Sequence, residues 1–161
     1  MKKILDGETA TINQLVGAED TFPYELWLKG VNNNWMPVNV PMGDDILQWK
    51  TKDALSDDEK LLVRRTIGFF SGGESLVGNN LVISAYRFLT DGGCRQYLAR
   101  QIFEESLHNG TVKVCCECFA LDKDEVAEAY KNIPAVKAKD DFLMSFTSDI
   151  GRREFDIDRK S

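Results

Sequence analysis

Phe103-Glu104-Glu105-Ser106-Leu107-His108 contains the only histidine of the 161-residue chain. If this stretch is helical, Glu105 and His108 are three residues apart and lie on one face. A carboxylate beside an imidazole forms half of a binding site for a transition metal. Carboxylate-bridged di-metal sites in four-helix bundles combine this Glu-x-x-His unit with carboxylates from neighbouring helices. The stretch therefore raises the hypothesis of a metal centre inside a helical bundle.

The sequence on both sides of this stretch predicts helices. Ser56-Asp57-Asp58-Glu59 matches a capping box, in which Ser56 and Glu59 each satisfy a backbone N–H at a helix start. Apolar residues at helical spacing follow, including Leu61, Leu62, Ile67 and Phe70, and continue as far as Phe88. Gly72-Gly73 interrupts them and indicates either a break or a close helix contact.

Further helices are predicted after the turn expected at Asp91-Gly92-Gly93. The first covers residues 94–119, the second follows a cap at Asp122 and ends near residue 133, and the third covers residues 135–146. The chain shows no βαβ alternation and no internal repeat. The predicted class is therefore all-α.

Glu74 lies in a strongly apolar part of the predicted helix before the turn. An unpaired carboxylate is costly in such surroundings, so Glu74 needs a partner. A salt bridge or a hydrogen-bonded cap is the ordinary solution, and a metal is the more specific one. A hairpin of the two long helices could bring Glu74 to Glu105 and His108. Carboxylates with one imidazole favour iron or manganese over zinc or copper(I).

The chain supplies only one half of the usual ligand set. A complete site in such bundles takes a Glu or Asp from each of two helices and Glu-x-x-His from each of two others. A second histidine is missing from the sequence. One copy of this chain is therefore not expected to complete a di-metal site.

Composition narrows the remaining classes of function. The formal net charge of -6 argues against nucleic acid or an anionic membrane as the main partner. The start, MKKILDGETA, lacks the apolar core of a signal peptide, and no apolar run approaches the length of a membrane span. We expect a cytoplasmic protein. Its cysteines, at 94, 115, 116 and 118, favour buried helical thiols over a zinc site, because their spacing does not match a zinc knuckle.

Several longer motifs resemble one family. They extend from Leu26 to about Met144 and include Asn33-Asn34-Trp35-Met36-Pro37, Ile67-Gly68-Phe69-Phe70-Ser71, Glu74-Ser75-Leu76-Val77-Gly78-Asn79-Asn80, Cys94-Arg95-Gln96-Tyr97-Leu98, the run from Arg100 to His108, and Ala138-Lys139-Asp140-Asp141-Phe142. In these motifs the chain closely resembles the small (beta, radical-generating) subunit of class I ribonucleotide reductase. The family reduces ribonucleotides to deoxyribonucleotides, with substrate bound on a large (alpha) subunit.

The resemblance implies a ferritin-like helical bundle with a di-metal centre. It gives Glu74 the role of the first carboxylate ligand, Glu105 that of the bridging glutamate and His108 that of the first histidine. Trp35 matches the family tryptophan that transfers the radical between the metal site and the large subunit. From its own surroundings, between two turn-rich segments, Trp35 would only be expected to pack a loop onto the core.

Three departures from the family pattern qualify this expectation. The family's radical tyrosine lies four residues after the histidine, where this chain has Val112. Some family members also lack that tyrosine, have phenylalanine there and use a manganese–iron centre. The chain resembles that subgroup in general sequence, so a manganese–iron or otherwise tyrosine-independent centre (Mn/Fe or Fe/Fe) is expected, and loss of function is an alternative. The later helices with the second Glu-x-x-His, and the tail that docks on the large subunit, are missing.

The expected organisation is an N-terminal arm over residues 1–23, a partial ferritin-like domain over 24–148, and a polar tail over 149–161. The chain thus resembles the amino-terminal half of a small subunit. Its expected partners are a separately encoded C-terminal half and the large subunit. Two alternatives stay open: a homodimer in which a second copy completes the di-metal site, and an inactive remnant that only binds reductase subunits.

Overall fold

The computed structural model describes residues 21–148, together with Ile12 and Leu15. All regular elements in these residues are helical, which confirms the all-α class. Most of the predicted arm over residues 1–23 and the whole predicted tail over 149–161 lie outside the described residues. The first helix begins at Phe22, two residues before the predicted start of the domain.

Seven α-helices are found in the described part of the chain: α1 (Phe22–Asn32), α2 (Gly43–Lys50), α3 (Asp57–Asn80), α4 (Gly92–Cys118), α5 (Lys123–Ala127), α6 (Ala129–Asn132) and α7 (Pro134–Ser148). Shorter helical turns cover Pro37–Asn39, Leu81–Ala85 and Tyr86–Phe88. Within residues 21–148, no helix combines the length and apolarity needed to cross a membrane.

Side-chain caps begin the helices that the sequence predicted. Ser56 and Glu59 form the expected reciprocal capping box of α3. Asp122 accepts hydrogen bonds from the backbone N–H groups of Asp124 and Glu125 at the start of α5. The Asp91 Oδ1 accepts a hydrogen bond from the backbone N–H of Cys94 at 2.8 Å, and α4 begins at Gly92. The turn predicted at Asp91-Gly92-Gly93 is therefore a cap followed directly by a helix.

Helix α3 continues through Gly72-Gly73 without a break. A Cβ at Gly72 would lie 3.2 Å from the Tyr130 Cβ and 3.2 Å from the Asp140 Oδ2, so the close-contact interpretation holds for Gly72, whereas Gly73 faces open space. The α-helix ends at Asn80 rather than near Phe88. The next residues, Leu81–Ala85, form a wider π-helical turn that contains the β-branched pair Val82 and Ile83, whose helix propensity is lower.

Helices α3 and α4 form the central pair. Glu74 contacts His108, and Gly78 faces Glu105, so the residue numbers run in opposite directions and the two helices are antiparallel. Helix α1 packs on α4, and α5, α6 and α7 pack on α3. This antiparallel pairing places Glu74 of α3 at the same height along the helix axes as Glu105 and His108 of α4.

One face of α3 remains open to solvent. Leu62 is 66% exposed and Phe70 is 45% exposed, although both belong to the apolar pattern that predicted the helix. Phe142 on α7 is 63% exposed. The opposite side of α3 is covered, because Gly68 lies against Ala129 of α6. The described helices therefore form one side of a bundle whose apolar interior face is only partly covered.

Candidate metal centre

Glu74, Glu105 and His108 come together between α3 and α4. Each offers one ligand atom, and these atoms lie within 4.8 Å of one another. The His108 Nδ1 lies 3.0 Å from the Glu74 Oε2 and 3.4 Å from the Glu105 Oε2. The structure thus brings together the three residues that the sequence singled out as metal ligands.

A close approach of the helices makes this arrangement possible. A Cβ built at Gly78 would lie 3.4 Å from the Glu105 Cβ, at the limit of ordinary contact. Glycine at this position lets the backbone of α3 come near Glu105 without displacing it. Because α4 carries Glu105 and His108 one turn apart, both side chains point to the same side as Glu74.

Burial and mutual repulsion perturb the protonation of the group. Burial, the hydrogen bond with Glu74 and the negative charge of Glu74 together raise the pKa of Glu105 to about 7. For His108, burial acts to lower the pKa, but the hydrogen bond and charge of Glu74 and the charge of Glu105 outweigh it, and the net pKa is raised. The negative charges of Glu74 and Glu105 repel each other, and protons bound to Glu105 and His108 reduce this repulsion.

The donor set fits a divalent cation. Two carboxylate oxygens and one imidazole nitrogen suit iron or manganese, and a cation between them would relieve the repulsion that raises the pKa of Glu105. Across the described residues, this is the sole group of three or more His, Cys, Asp or Glu side chains close enough to share an ion. A second ligand set, as a full di-metal site requires, is not among them.

The cysteines lie outside this group. Cys116 is buried, whereas Cys94, Cys115 and Cys118 are half-buried, and within the described residues none of the four forms a disulfide bond. Burial raises the pKa values of Cys115 and Cys116, which keeps both thiols protonated at neutral pH. All four cysteines lie on α4, as predicted for helical thiols, but only Cys116 is fully buried.

Trp35 lies directly beside the candidate ligands. Its ring stacks on the His108 ring, with centroids 6.1 Å apart and planes at 28°. Its indole N–H donates to the Glu104 Oε2 at 3.2 Å. Trp35 is only half-buried. Its ring stacking and its hydrogen bond are directional contacts, which simple packing of a loop onto the core does not require.

A cavity of about 250 Å³ opens next to these residues. Its lining includes Val112, which lies one helical turn beyond His108. The other lining residues are Trp35, Ile67, Phe70, Glu74, His108, Thr111 and Cys115. The side chain of Val112 thus borders open space beside the candidate ligands.

Sequence reasoning missed the polar residues that hold Trp35. Glu104 accepts from Trp35 and also forms an ion pair with Arg100. Arg100 in turn donates to the Asn34 Oδ1 at 2.8 Å. The four-residue spacing of Arg100 and Glu104 is a recognisable helical ion-pair signal, but the link to residues 34 and 35, more than 60 positions away, has no local signal.

Comparison with known proteins places these features in a family. The family described as "Ribonucleotide reductase, small chain" matches residues 12–159. The chain is 42% identical over 156 residues to the ribonucleoside-diphosphate reductase subunit beta of Chlamydia pneumoniae, covering 97% of this chain and 45% of that relative. It is 30% identical over 122 residues to a small subunit of ribonucleoside-diphosphate reductase from Arabidopsis thaliana, covering 72% of this chain and 34% of that relative.

The fold agrees with this match. The ribonucleotide reductase R2 subunit from Clostridium botulinum superimposes with a TM-score of 0.78 at 17% identity, covering 90% of this chain and 45% of that one. The chain spans less than half the length of the relatives that it matches. Because the family model matches nearly the whole chain, the chain belongs to the ribonucleotide reductase small-chain family.

Proposed function

We propose that this chain supplies one helix-pair half of the di-metal centre of a ribonucleoside-diphosphate reductase small subunit. The observation that carries the proposal is the convergence of Glu74, Glu105 and His108 within 4.8 Å on an antiparallel helix pair. The family match supports it, because the relatives are named as small subunits of this reductase.

Each residue of the group has a distinct role in this proposal. Glu105 extends from the centre of α4 and would be the carboxylate shared by the ions. Glu74 on α3 would be a second carboxylate ligand, and His108 would be the imidazole ligand. An Fe/Fe or Mn/Fe centre, when bound, supplies the one-electron oxidising equivalent that the reductase needs. The chain's own residues would hold the ions.

A second polypeptide segment completes the site. The apolar cavity between α3 and α7, about 510 Å³ in volume, includes Glu74 in its lining and is bordered by Phe70 and Phe142. An apolar helix face seated there would cover these exposed rings and bring its own ligands next to Glu74. We propose that this segment is the C-terminal half of a small subunit, which carries the second Glu-x-x-His.

Val112 makes the proposed centre independent of a tyrosyl radical. Valine has no phenol group from which a phenoxyl radical could form, so position 112 could not store the oxidising equivalent that a bound metal centre would supply. Trp35, stacked on His108, is the proposed first station of radical transfer toward the large subunit. The substrate, a ribonucleoside diphosphate, is bound by that large subunit in the cytoplasm.

Co-expression with a C-terminal half from a small subunit of the family tests this proposal. Metal analysis of the purified complex should find about two ions, whereas the isolated chain should bind little. A complex with no gain in metal over the separate chain contradicts the proposal. Replacing Glu117, an exposed glutamate of α4, by Gln provides a matched control that should leave the metal content unchanged.

A homodimer is a second candidate, favoured by the open face of α3 around Leu62 and Phe70. Two copies related by a two-fold axis could each contribute Glu74, Glu105 and His108. This candidate predicts that the chain dimerises when iron or manganese is added, and a strictly monomeric chain under those conditions excludes it. A remnant that only binds reductase subunits would be indifferent to loss of Glu105 and His108.

A further inference from the structure

We propose that Arg100 and Glu104 are positioning residues that lock the Trp35 indole against His108. The inference rests on the proposed role of Trp35 in radical transfer. It adds a specific device for holding the indole: a series of polar contacts from Asn34 through Arg100 and Glu104 to Trp35.

Glu104 is fixed because its two oxygens have different donors. Its Oε1 accepts from the Arg100 guanidinium, and its Oε2 accepts from the Trp35 indole N–H at 3.2 Å. A carboxylate with both oxygens occupied cannot rotate without losing a charge-assisted hydrogen bond. The direction of the indole N–H is therefore set by α4, the same helix that carries His108.

Arg100 is in turn held by the segment that carries Trp35. Its guanidinium donates to the Asn34 Oδ1 at 2.8 Å, and it also lies over the Phe103 ring. Gly30 makes room for it, because a Cβ at that position would lie 3.0 Å from the Arg100 Cγ. Two adjacent residues, Asn34 and Trp35, are thus tied to one turn of α4 by two separate hydrogen bonds.

This arrangement has a stability cost. The Arg100 side chain is only 10% exposed, and its Nε is buried without a hydrogen-bond partner among the described residues. Burying a guanidinium with an unsatisfied N–H is unfavourable compared with an apolar side chain of similar size. A local departure from favourable packing that orients a side chain beside a candidate site indicates a positioning role.

The test uses nitrogen-15 NMR of the 161-residue chain without metal. Trp27, Trp35 and Trp49 give three indole N–H signals, and replacement of Trp35 by Phe assigns the relevant one. The measured quantity is the hydrogen-exchange protection of the Trp35 indole N–H relative to backbone amides of α4. Arg100→Gln should lower this protection about tenfold, and Glu104→Ala should lower it at least as much. Asn34→Ala, at an exposed position, should cause a smaller loss.

Two further variants separate positioning from general stability. Glu104→Gln keeps an acceptor oxygen and should retain more protection than Glu104→Ala. Arg87 lies over the Phe88 ring much as Arg100 lies over Phe103, so Arg87→Gln is a matched control that should leave the Trp35 signal unchanged. Unchanged protection in Arg100→Gln, or equal losses at the indole and across α4, would overturn the inference. Because no metal or turnover is involved, this result is independent of whether Trp35 carries a radical.

Discussion

The Nδ1 atom of His108 lies 3.0 Å from the Oε2 atom of Glu74, a side chain 34 positions away in the sequence. The contact depends on the antiparallel pairing of α3 and α4, since neither helix could form it by itself. With Glu105, it makes a group of two carboxylates and one imidazole whose charges are unbalanced without an additional cation or proton. Loss of a ligand, a change of pH and a shift of either helix should each disturb this group measurably.

Loss of a ligand should abolish activity of the assembled reductase. We expect Glu105→Ala and His108→Ala each to lower turnover at least about 100-fold, because each removes a proposed direct metal ligand, and losing a residue that merely orients a ligand commonly costs about 10- to 100-fold. The assay is deoxyribonucleotide formation by the chain co-assembled with a C-terminal half and a large subunit. Glu117→Gln should retain activity. If both ligand variants stay active, the protein is only a binding remnant.

The metal-free chain should show a pH-dependent stability that originates at Glu105. Its pKa is about 7 in the folded chain and 4.5 ordinarily, so the folded state binds the proton more tightly and stability is lost as pH rises from about 4.5 through 7. His108, whose pKa is also raised, contributes stability that is present below pH 6.5 and lost as pH rises through its folded pKa. Both effects have the same sign.

Glu105→Gln isolates the contribution of Glu105. At pH 5 the variant and the original chain should differ little in their free energy of unfolding, because Glu105 is then largely protonated. At pH 8 the variant should be more stable, by on the order of 2–3 kcal/mol. Urea unfolding with a chelator present measures both values. A difference that does not change between pH 5 and pH 8 would contradict the pKa shift.

The cavity beside Val112 should accept a larger side chain. We expect Val112→Tyr to change the free energy of unfolding by less than about 1 kcal/mol, since the ring can enter a space of about 250 Å³. Leu107→Tyr, at a buried position of the same helix, should instead destabilise by about 1–3 kcal/mol through overpacking. In the metal-loaded complex, electron paramagnetic resonance should detect a phenoxyl radical in Val112→Tyr and not in the original protein. Equal destabilisation of the two variants would show that the cavity does not admit the ring.

Local signals in the sequence predicted the helices and the ligand group. The caps at Ser56 and Asp122 depend on side chains only two or three residues from the groups they satisfy, and both are present. Glu105 and His108 share a face because of helix geometry alone. Their meeting with Glu74 required only that two consecutive long helices form a hairpin.

Features that depend on distant contacts could not be predicted in the same way. The spacing of Leu62 and Phe70 indicates an apolar helix face, but their exposure depends on which other helices cover α3. The need for a small residue at Gly72 follows from the approach of Tyr130, which is distant in sequence. The contact of Trp35 with Glu104 likewise joins residues 69 positions apart.

Gly68 and Gly73 lie on the same helix and should respond to alanine with opposite signs. A Cβ at Gly68 would lie 2.7 Å from the Ala129 Cβ, which cannot rotate away, so α3 and α6 must move apart. We expect Gly68→Ala to destabilise by about 1–3 kcal/mol. A Cβ at Gly73 meets nothing within 4 Å, so Gly73→Ala should stabilise by about 0.5–1 kcal/mol through higher helix propensity.

Urea unfolding of the two variants measures the contrast, and a compensating change tests its cause. Replacing Ala129 by Gly in the Gly68→Ala background removes the methyl group that the new Cβ strikes, and should recover most of the lost stability. Because Gly68 lies less than two turns before Glu74, a shift of α3 should also weaken the Glu74–His108 contact and lower the pKa of His108 in Gly68→Ala. A histidine NMR titration measures that pKa. Failure of the Ala129→Gly change to restore stability would show that α6 does not limit the position of α3.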